Sequence, residues 1–535
     1  MEKRRVGTAA SLKAAFGSWR VGAVVLQSFS SGLPLGLIWI ALPAWLKYRG
    51  VDIKTIGLFT LAQAPWTFKF LWAPLMDRYR LPFLGRKRSW MLLFQLLLVA
   101  GIAALALEGA NPRVAVVAAV ATFIAFCSAS QDIAIDGYAV EVLQKDELGV
   151  AVGGRVALYR AAMLVAGGLA IATGNSLGWR NVFLGLALLY IPLMAVVIAS
   201  PEPPASIRPP VTLRDAVFDP FVSLFRKPRA TAIILFILLY KLGDNMATAL
   251  VRPFLIEKGF SPSDVGLATL TIGLIFIIGG TVVGAALTKR IGVGRALWIF
   301  GVLQAAACLG YVAVDRIASG VPTGSAGQPF TVRLVMYAAT ALETGCQGLA
   351  TGALDVFLIR LTEKRFSATQ YALFASVFAL GRTLAGAPAG ILVDALGWTP
   401  FFLVTIFASA PGLVMLSRFV APGVREPDFE LEDVRAREPI TRPALALTSL
   451  AVAAAAVAGA VLVSALLAAA RAMRGKPGTA FDPAGQLARL LSPASASGWL
   501  SLLGPVVLGV FCGLAAAGLL AARRGVRKDE NGGKD

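Results

Sequence analysis

Ionisable side chains set among apolar ones are where this sequence could do chemistry, because a group in such surroundings needs a partner or a task. The run from residue 231 to 255 is mostly apolar, yet it holds Lys241, Asp244 and Asn245 within five positions. Glu343 stands inside a second such run and Arg382 inside a third. At a helical rise of about 1.5 Å per residue, Lys241 and Asp244 fall roughly 15 to 20 Å into their segment and Glu343 about 15 Å into its own. Arg382 reaches a similar depth, so three segments carry charge at one level. Lys241 and Arg382 suit an anionic solute, while a carboxyl such as Asp244 or Glu343 can take up and release a proton. The chain has no histidine, which leaves proton traffic to carboxylates. The competing reading of Lys241 and Asp244, three apart on one helix face, is an ion pair that locks the segment.

Lys69, about 21 Å along a run at 55–75, either lines a cavity or reaches back toward the surface. Gln27, Ser28, Ser30 and Ser31 either let helices approach closely or hydrogen-bond a solute. Arg160, about one turn into its run, suits a loop-stabilising role. The expected solute-binding set is Lys69, Lys241, Asn245, Arg382, Gln27 and Ser30, and the expected proton-coupling set is Asp132, Asp244 and Glu343. No catalytic or metal-ligating residues and no cofactor are expected.

The stretch ASQDIAIDGYAVEVL, residues 129 to 143, closes a run that is free of charge from Val114 to Cys127. Asp132 and Asp136, four apart, share a helix face about 27 and 33 Å along it. That depth predicts a gate rather than a central site. Asp136 is expected to meet the basic loop from Arg78 to Arg88, and Asp355 to face Arg290 and Arg295. The gate set is thus Asp77, Arg78, Arg86, Asp136, Arg290, Arg295 and Asp355, with Glu141 expected in solvent.

The elements that must position these residues follow from composition. Of 535 residues 57% are hydrophobic and only 15% charged, more apolar than a soluble domain. Apolar runs long enough to cross a bilayer recur at 21–46, 55–75, 90–108, 114–138, 155–174, 180–199, 231–255, 264–288, 296–314, 333–360, 369–392, 398–418, 443–470 and 499–522. They predict an all-α polytopic membrane protein of fourteen spans, the first a retained helix rather than a cleaved leader. With the N-terminus inside and flanking residues counted with their loops, 33 Lys and Arg fall inside and 13 outside. Both termini are therefore expected in the cytoplasm, and the net charge of +20 reads as a topology signal rather than a nucleic-acid surface. The four cysteines lie in apolar runs without metal-ligand spacing. No Walker A loop or nucleophile elbow is present, which argues against ATP coupling and hydrolysis.

The Pro-rich segment at 200–230, amphipathic from about Thr212 to Phe225, reads as a cytoplasmic linker with a helix on the membrane surface. It separates a six-helix bundle at 1–199 from a second at 231–420; a loop at 421–442, two further helices at 443–522 and a tail at 523–535 follow. A shift of 219 residues lays Asp136 on Asp355, Lys145 on Lys364 and Gly167 on Gly386. The basic loop at 76–88 has a shorter counterpart at 288–295. Such correspondence points to a parallel two-bundle repeat.

Three stretches, FSSGLPLGLIWIALPAWL (29–46), DIKTIGLFTLAQAPWTFKFLWAPLMDRY (52–79) and ASQDIAIDGYAVEVL, together resemble the AmpG-type permeases of the major facilitator superfamily. The resemblance implies a secondary transporter of the bacterial inner membrane that carries anhydromuropeptides to the cytoplasm with protons, working as a monomer among lipids. QDIAIDGYA is also similar to a motif of acetyl-CoA transporters, a related branch, which leaves acetyl-CoA or another bulky anion as the alternative. A membrane sensor or enzyme on a transporter scaffold is the alternative of another class. The superfamily's signature loop is altered here, with Ala73 at the first glycine position and Thr288 where the second copy would be acidic.

Overall fold

A computed structural model describes residues 17–52, 59, 62, 64–82, 84–108, 112–204, 207–227, 229–320, 328–427, 440–475, 482–492 and 496–524. The start of the expected second span and most of the loop at 421–442 and of the tail lie outside them. The chain divides into two units, Met1–Val211 with Thr231–Asp428, and Thr212–Ala230 with Phe429–Asp535.

In the first unit, α1 is Trp19–Tyr48, α3 Arg86–Leu107, α4 Val114–Val142, α5 Leu148–Gly174 and α6 Trp179–Ala199. Between α1 and α3, α2 comprises Ala64–Phe68 and Ala73–Arg78, joined by a 3₁₀ turn at Lys69–Leu71. After α7, Leu213–Phe225 of the second unit, come α8 (Ala230–Glu257), α9 (Pro262–Ile291) and α10 (Val293–Ala318). Then follow α11 (Phe330–Leu361), α12 (Ser367–Leu396) and α13 (Trp398–Ser417). Among the described residues ten helices are long and apolar enough to cross a membrane. The other four expected spans correspond to α2, α11, α12 and a C-terminal helix described below.

Small residues set how closely these helices approach. A Cβ on Gly32 of α1 would stand 2.2 Å from the Tyr159 carbonyl oxygen of α5, and one on Gly36 2.6 Å from that of Met163. The α9–α11 crossing uses a pair of glycines four apart on each helix, Gly280 with Gly284 and Gly348 with Gly352; a Cβ on Gly352 would lie 2.5 Å from the Thr281 carbonyl oxygen. Two helices of similar apolarity to lipid gain association mainly from such contact. Gly352→Leu should therefore lower the melting temperature by several degrees, overpacking costing about 1–3 kcal/mol. Gly185→Ala, at a helix position with nothing within 4 Å, should not lower melting and should raise it slightly, alanine being the better helix former. A core around Phe254, Tyr311, Trp398 and Phe402 fills the second bundle.

The second unit groups α7 with α14 (Arg442–Gly475), α15 (Pro483–Leu491) and α16 (Ala496–Arg524). Thr212 caps α7 by accepting from the Asp215 amide at 3.1 Å, and Asp215 accepts from the Thr212 amide in return. The segment expected to lie on the membrane surface packs on α16, where a Cβ on Gly518 would come within 2.6 Å of Phe221 Cβ. Gly509 and Gly513, one turn apart, bring α16 equally close to α14.

Candidate functional site

Two helices of the first unit break where they carry a buried lysine. In α2 the break is the 3₁₀ turn that begins with Lys69, whose ammonium donates to Asp136 Oδ2 of α4 at 3.3 Å. In α8 the break falls at Tyr240 and Lys241, and helix resumes at Leu242 with Asp244 in its first turn. An acid there is favoured by the partial positive charge of a helix start. Lys241 Nζ lies 3.4 Å from Asp244 Oδ2, 2.5 Å from Gln304 Oε1 and 3.0 Å from the Gln347 carbonyl oxygen. Gln347 in turn donates to Asp244 Oδ2 at 2.9 Å. Glu343 sits behind this pair, within hydrogen-bond reach of Asp244, and accepts from the Tyr311 hydroxyl at 3.4 Å. Its other oxygen and the Asn245 side-chain nitrogen have no partner. In secondary transporters, discontinuous helices that present charge in mid-bundle are where solutes and ions are held.

A cavity of about 160 Å³ between the bundles is lined by Ser28, Ser31, Asp132, Asp136, Arg155, Tyr159, Asp355 and Tyr371, with Val152 and Val156. Arg155 of α5 is ion-paired with Asp136, and its Nε donates to Ser28 Oγ at 3.3 Å. One oxygen of Asp132 is buried without a partner. Asp355, from α11, lies within electrostatic reach of Arg155, Asp136 and Lys241. The charges thus form one chain across the protein, from Lys69 and Asp132 through Asp136, Arg155 and Asp355 to Lys241, Asp244 and Glu343.

This arrangement corrects the expected gate. Asp136 does not meet the loop at 78–88, nor Asp355 the pair Arg290 and Arg295; both acids face the cavity. Arg295 instead donates to the Gly423 carbonyl at 2.8 Å, and the Arg290 carbonyl accepts from Arg425 at 2.9 Å. Helix phase explains the change. Glu141 lies five residues beyond Asp136, a rotation of roughly 140°, and it is Glu141 that points at the loop. Far from being in solvent, Glu141 is 1% exposed. It lies 2.5 Å from Arg86 and 3.7 Å from Lys87, and it accepts from Ser367 Oγ at 2.5 Å.

Beside it Asp77 of α2, fully buried, forms a 2.6 Å ion pair with Lys87. The same carboxylate accepts from the amides of Ala368 at 3.1 Å and Thr369 at 2.8 Å, and from Thr369 Oγ1 at 2.7 Å. These are orphan donors of the first turn of α12, whose own cap residue, Phe366, offers no side-chain acceptor. The first bundle therefore caps a helix of the second. Gly137, one turn before Glu141, leaves the space: a Cβ there would sit 3.2 Å from both the Ala368 amide and Lys87 Nζ. Arg78 takes no part, its guanidinium lying over the Tyr79 ring at 5.5 Å.

Gln27 and Ser30 are also corrected, by a shift of one residue: Ser28 and Ser31 line the cavity and these two do not. Gln27 donates to the Leu193 carbonyl at 2.9 Å and accepts from Gln95 at 2.7 Å, while Ser30 accepts from Gln131 at 2.7 Å. Both are fully buried, and their capacity is used in holding α1, α3, α4 and α6 together. Arg382 is exposed, with its guanidinium 5.9 Å from the Phe378 ring. Arg160 is half-buried and electrostatically close to Arg382.

The chain belongs to the Major Facilitator Superfamily, whose family model matches residues 24–327. Within that class of membrane transporters it is 40% identical to a protein of Escherichia coli strain K12 named anhydromuropeptide permease, over 74% of this chain and 79% of that one. A protein of Rickettsia conorii named putative transporter AmpG 4 is 29% identical over 75% of this chain and 96% of its own. The Escherichia coli fucose:proton symporter shares the fold, with a TM-score of 0.54 and 14% identity over 75% of this chain and 98% of that one. The proton:xylose symporter XylE does so with a TM-score of 0.56 and 12% identity, over 76% and 97%.

Proposed function

We propose that the protein imports anhydromuropeptide-like fragments of the cell wall across the bacterial inner membrane, driven by protons. The observation that carries this reading is the 40% identity to an anhydromuropeptide permease across both bundles. The charged cavity between the bundles supports it, because a muropeptide brings carboxylates for Arg155 and sugar and peptide groups for Ser28, Ser31 and Tyr159. The excess of basic residues in alternate loops supports a topology with both termini and the Asp77 latch in the cytoplasm. In this orientation the latch shuts the cytoplasmic side, and transport alternates between latched and unlatched states. Protons are exchanged by Asp244 with Glu343, and Asp132 is the second candidate. Arg382, Lys241 and Asn245 contribute to the binding surface when the bundles part.

The test is uptake of labelled anhydromuropeptide, and separately of labelled acetyl-CoA, into vesicles containing the purified protein with an imposed proton gradient. Accumulation of muropeptide that collapses with a protonophore is the expected result. Accumulation of acetyl-CoA alone would move the substrate to the related branch, and uptake of neither would leave a scaffold without transport.

A further inference from the structure

A second cavity, of about 220 Å³, lies at the end of the first bundle opposite the latch. Its position follows from chain direction: α3 starts at the latch with Arg86 and Lys87, and the cavity is lined by its last turn, Leu105 and Ala106. The rest of the lining is Trp45 and Arg49 from the end of α1, and Gly178, Trp179, Arg180 and Phe183 from the start of α6.

The polar side chains of this lining are all donors, and it contains no carboxylate. The indole N–H groups of Trp45 and Trp179 are buried and have no hydrogen-bond partner, and the residues are only 1% and 5% exposed. A buried donor left unbonded is costly, and here two occur in one cavity. Arg49 and Arg180 are exposed beside them. Gly178, at φ +79°, turns the chain into α6, whose free first-turn amides add further donors. The aromatic rings are fixed by one another, Trp45 meeting Phe183 edge-on at 5.1 Å and Trp179 lying 5.8 Å from Phe183.

We propose that this cavity binds the phosphate of an anionic phospholipid. Donors without acceptors select an anion, and paired arginines select a phosphate-like one. The volume is below the roughly 300–1,000 Å³ of pockets that enclose drug-sized ligands, so it takes a headgroup and not a whole solute. Its level, at helix ends with tryptophan rings and apolar walls, is that of the membrane–water boundary where lipid phosphates lie. This site is separate from the cavity between the bundles and does not depend on what is transported.

The test uses the full-length protein in uncharged detergent, with thermal melting followed against dihexanoyl phosphatidylglycerol, inorganic phosphate and N-acetylmuramate. Phosphatidylglycerol should raise the melting temperature saturably, and Arg49→Gln and Arg180→Gln should each weaken half-saturation about tenfold. Trp179→Phe, which keeps a ring and removes the N–H, should weaken it while leaving melting without lipid close to the parent. The proposal is overturned if no anion protects, or if the double arginine variant is protected at the same concentration. Protection by inorganic phosphate or N-acetylmuramate at the same concentration as the lipid would overturn the lipid as occupant in favour of a soluble anion.

Discussion

Asp77→Asn should unlatch the protein and abolish accumulation of substrate. The aspartate holds Lys87 on one side and the start of α12 on the other, with every contact buried. Removing the charge leaves the buried Lys87 ammonium with only the more distant Glu141 carboxylate, 3.7 Å away, as counter-ion, a change that costs up to about 3–5 kcal/mol. That energy is lost from the latched state alone, so the equilibrium constant for latching falls by a factor of up to roughly 10² to 5 × 10³. Hydrogen exchange reads the change where it occurs, because the Ala368 and Thr369 amides donate directly to Asp77. Their exchange should accelerate in the variant while that of the α9–α11 crossing stays slow. Unchanged exchange at 368 and 369 would show that the latch does not depend on this carboxylate.

Glu343→Gln should separate movement of substrate from its energy source. The amide keeps the shape of the acid and can still donate to Asp244, but it cannot release a proton. Counterflow of labelled against unlabelled substrate should continue, whereas accumulation should fall to equality on the two sides. For one proton per solute, a driving force of 100 mV corresponds to about 2.3 kcal/mol, or an accumulation of roughly fiftyfold, so the expected loss is large. Asp244→Asn should share the phenotype and also lower stability, because it takes the counter-ion from Lys241. Accumulation that survives in both variants would move the proton-bearing role to Asp132.

Much of the fold was legible because membrane helices announce themselves by length and apolarity, and the buried acids and bases marked the right helices. Depth counted along a helix was a weaker guide. It put Asp136 and Asp355 near the C-terminal ends of their helices, which is where they are, but gave no direction, and a residue's direction decides whether it meets a loop or a cavity. Arg155 escaped notice for a related reason. The apolar run was taken to begin at 155, whereas α5 begins at Leu148, so a residue two turns inside a helix looked like its flank. Glu141 was misread because a charge near a helix end usually meets water, and only the fold reveals that the second bundle covers it. The breaks in α2 and α8 had a faint signal, a lysine in each apolar run. The glutamines that support Lys241 and Ser30 had none, since an amide inside a helix is equally at home in packing.

The size of the cavity between the bundles bears on how tight the carrier is when empty. At about 160 Å³, and with liquid water taking about 30 Å³ per molecule, it holds roughly five waters. An alternating-access stroke made in this shape would carry no more than that small parcel of water.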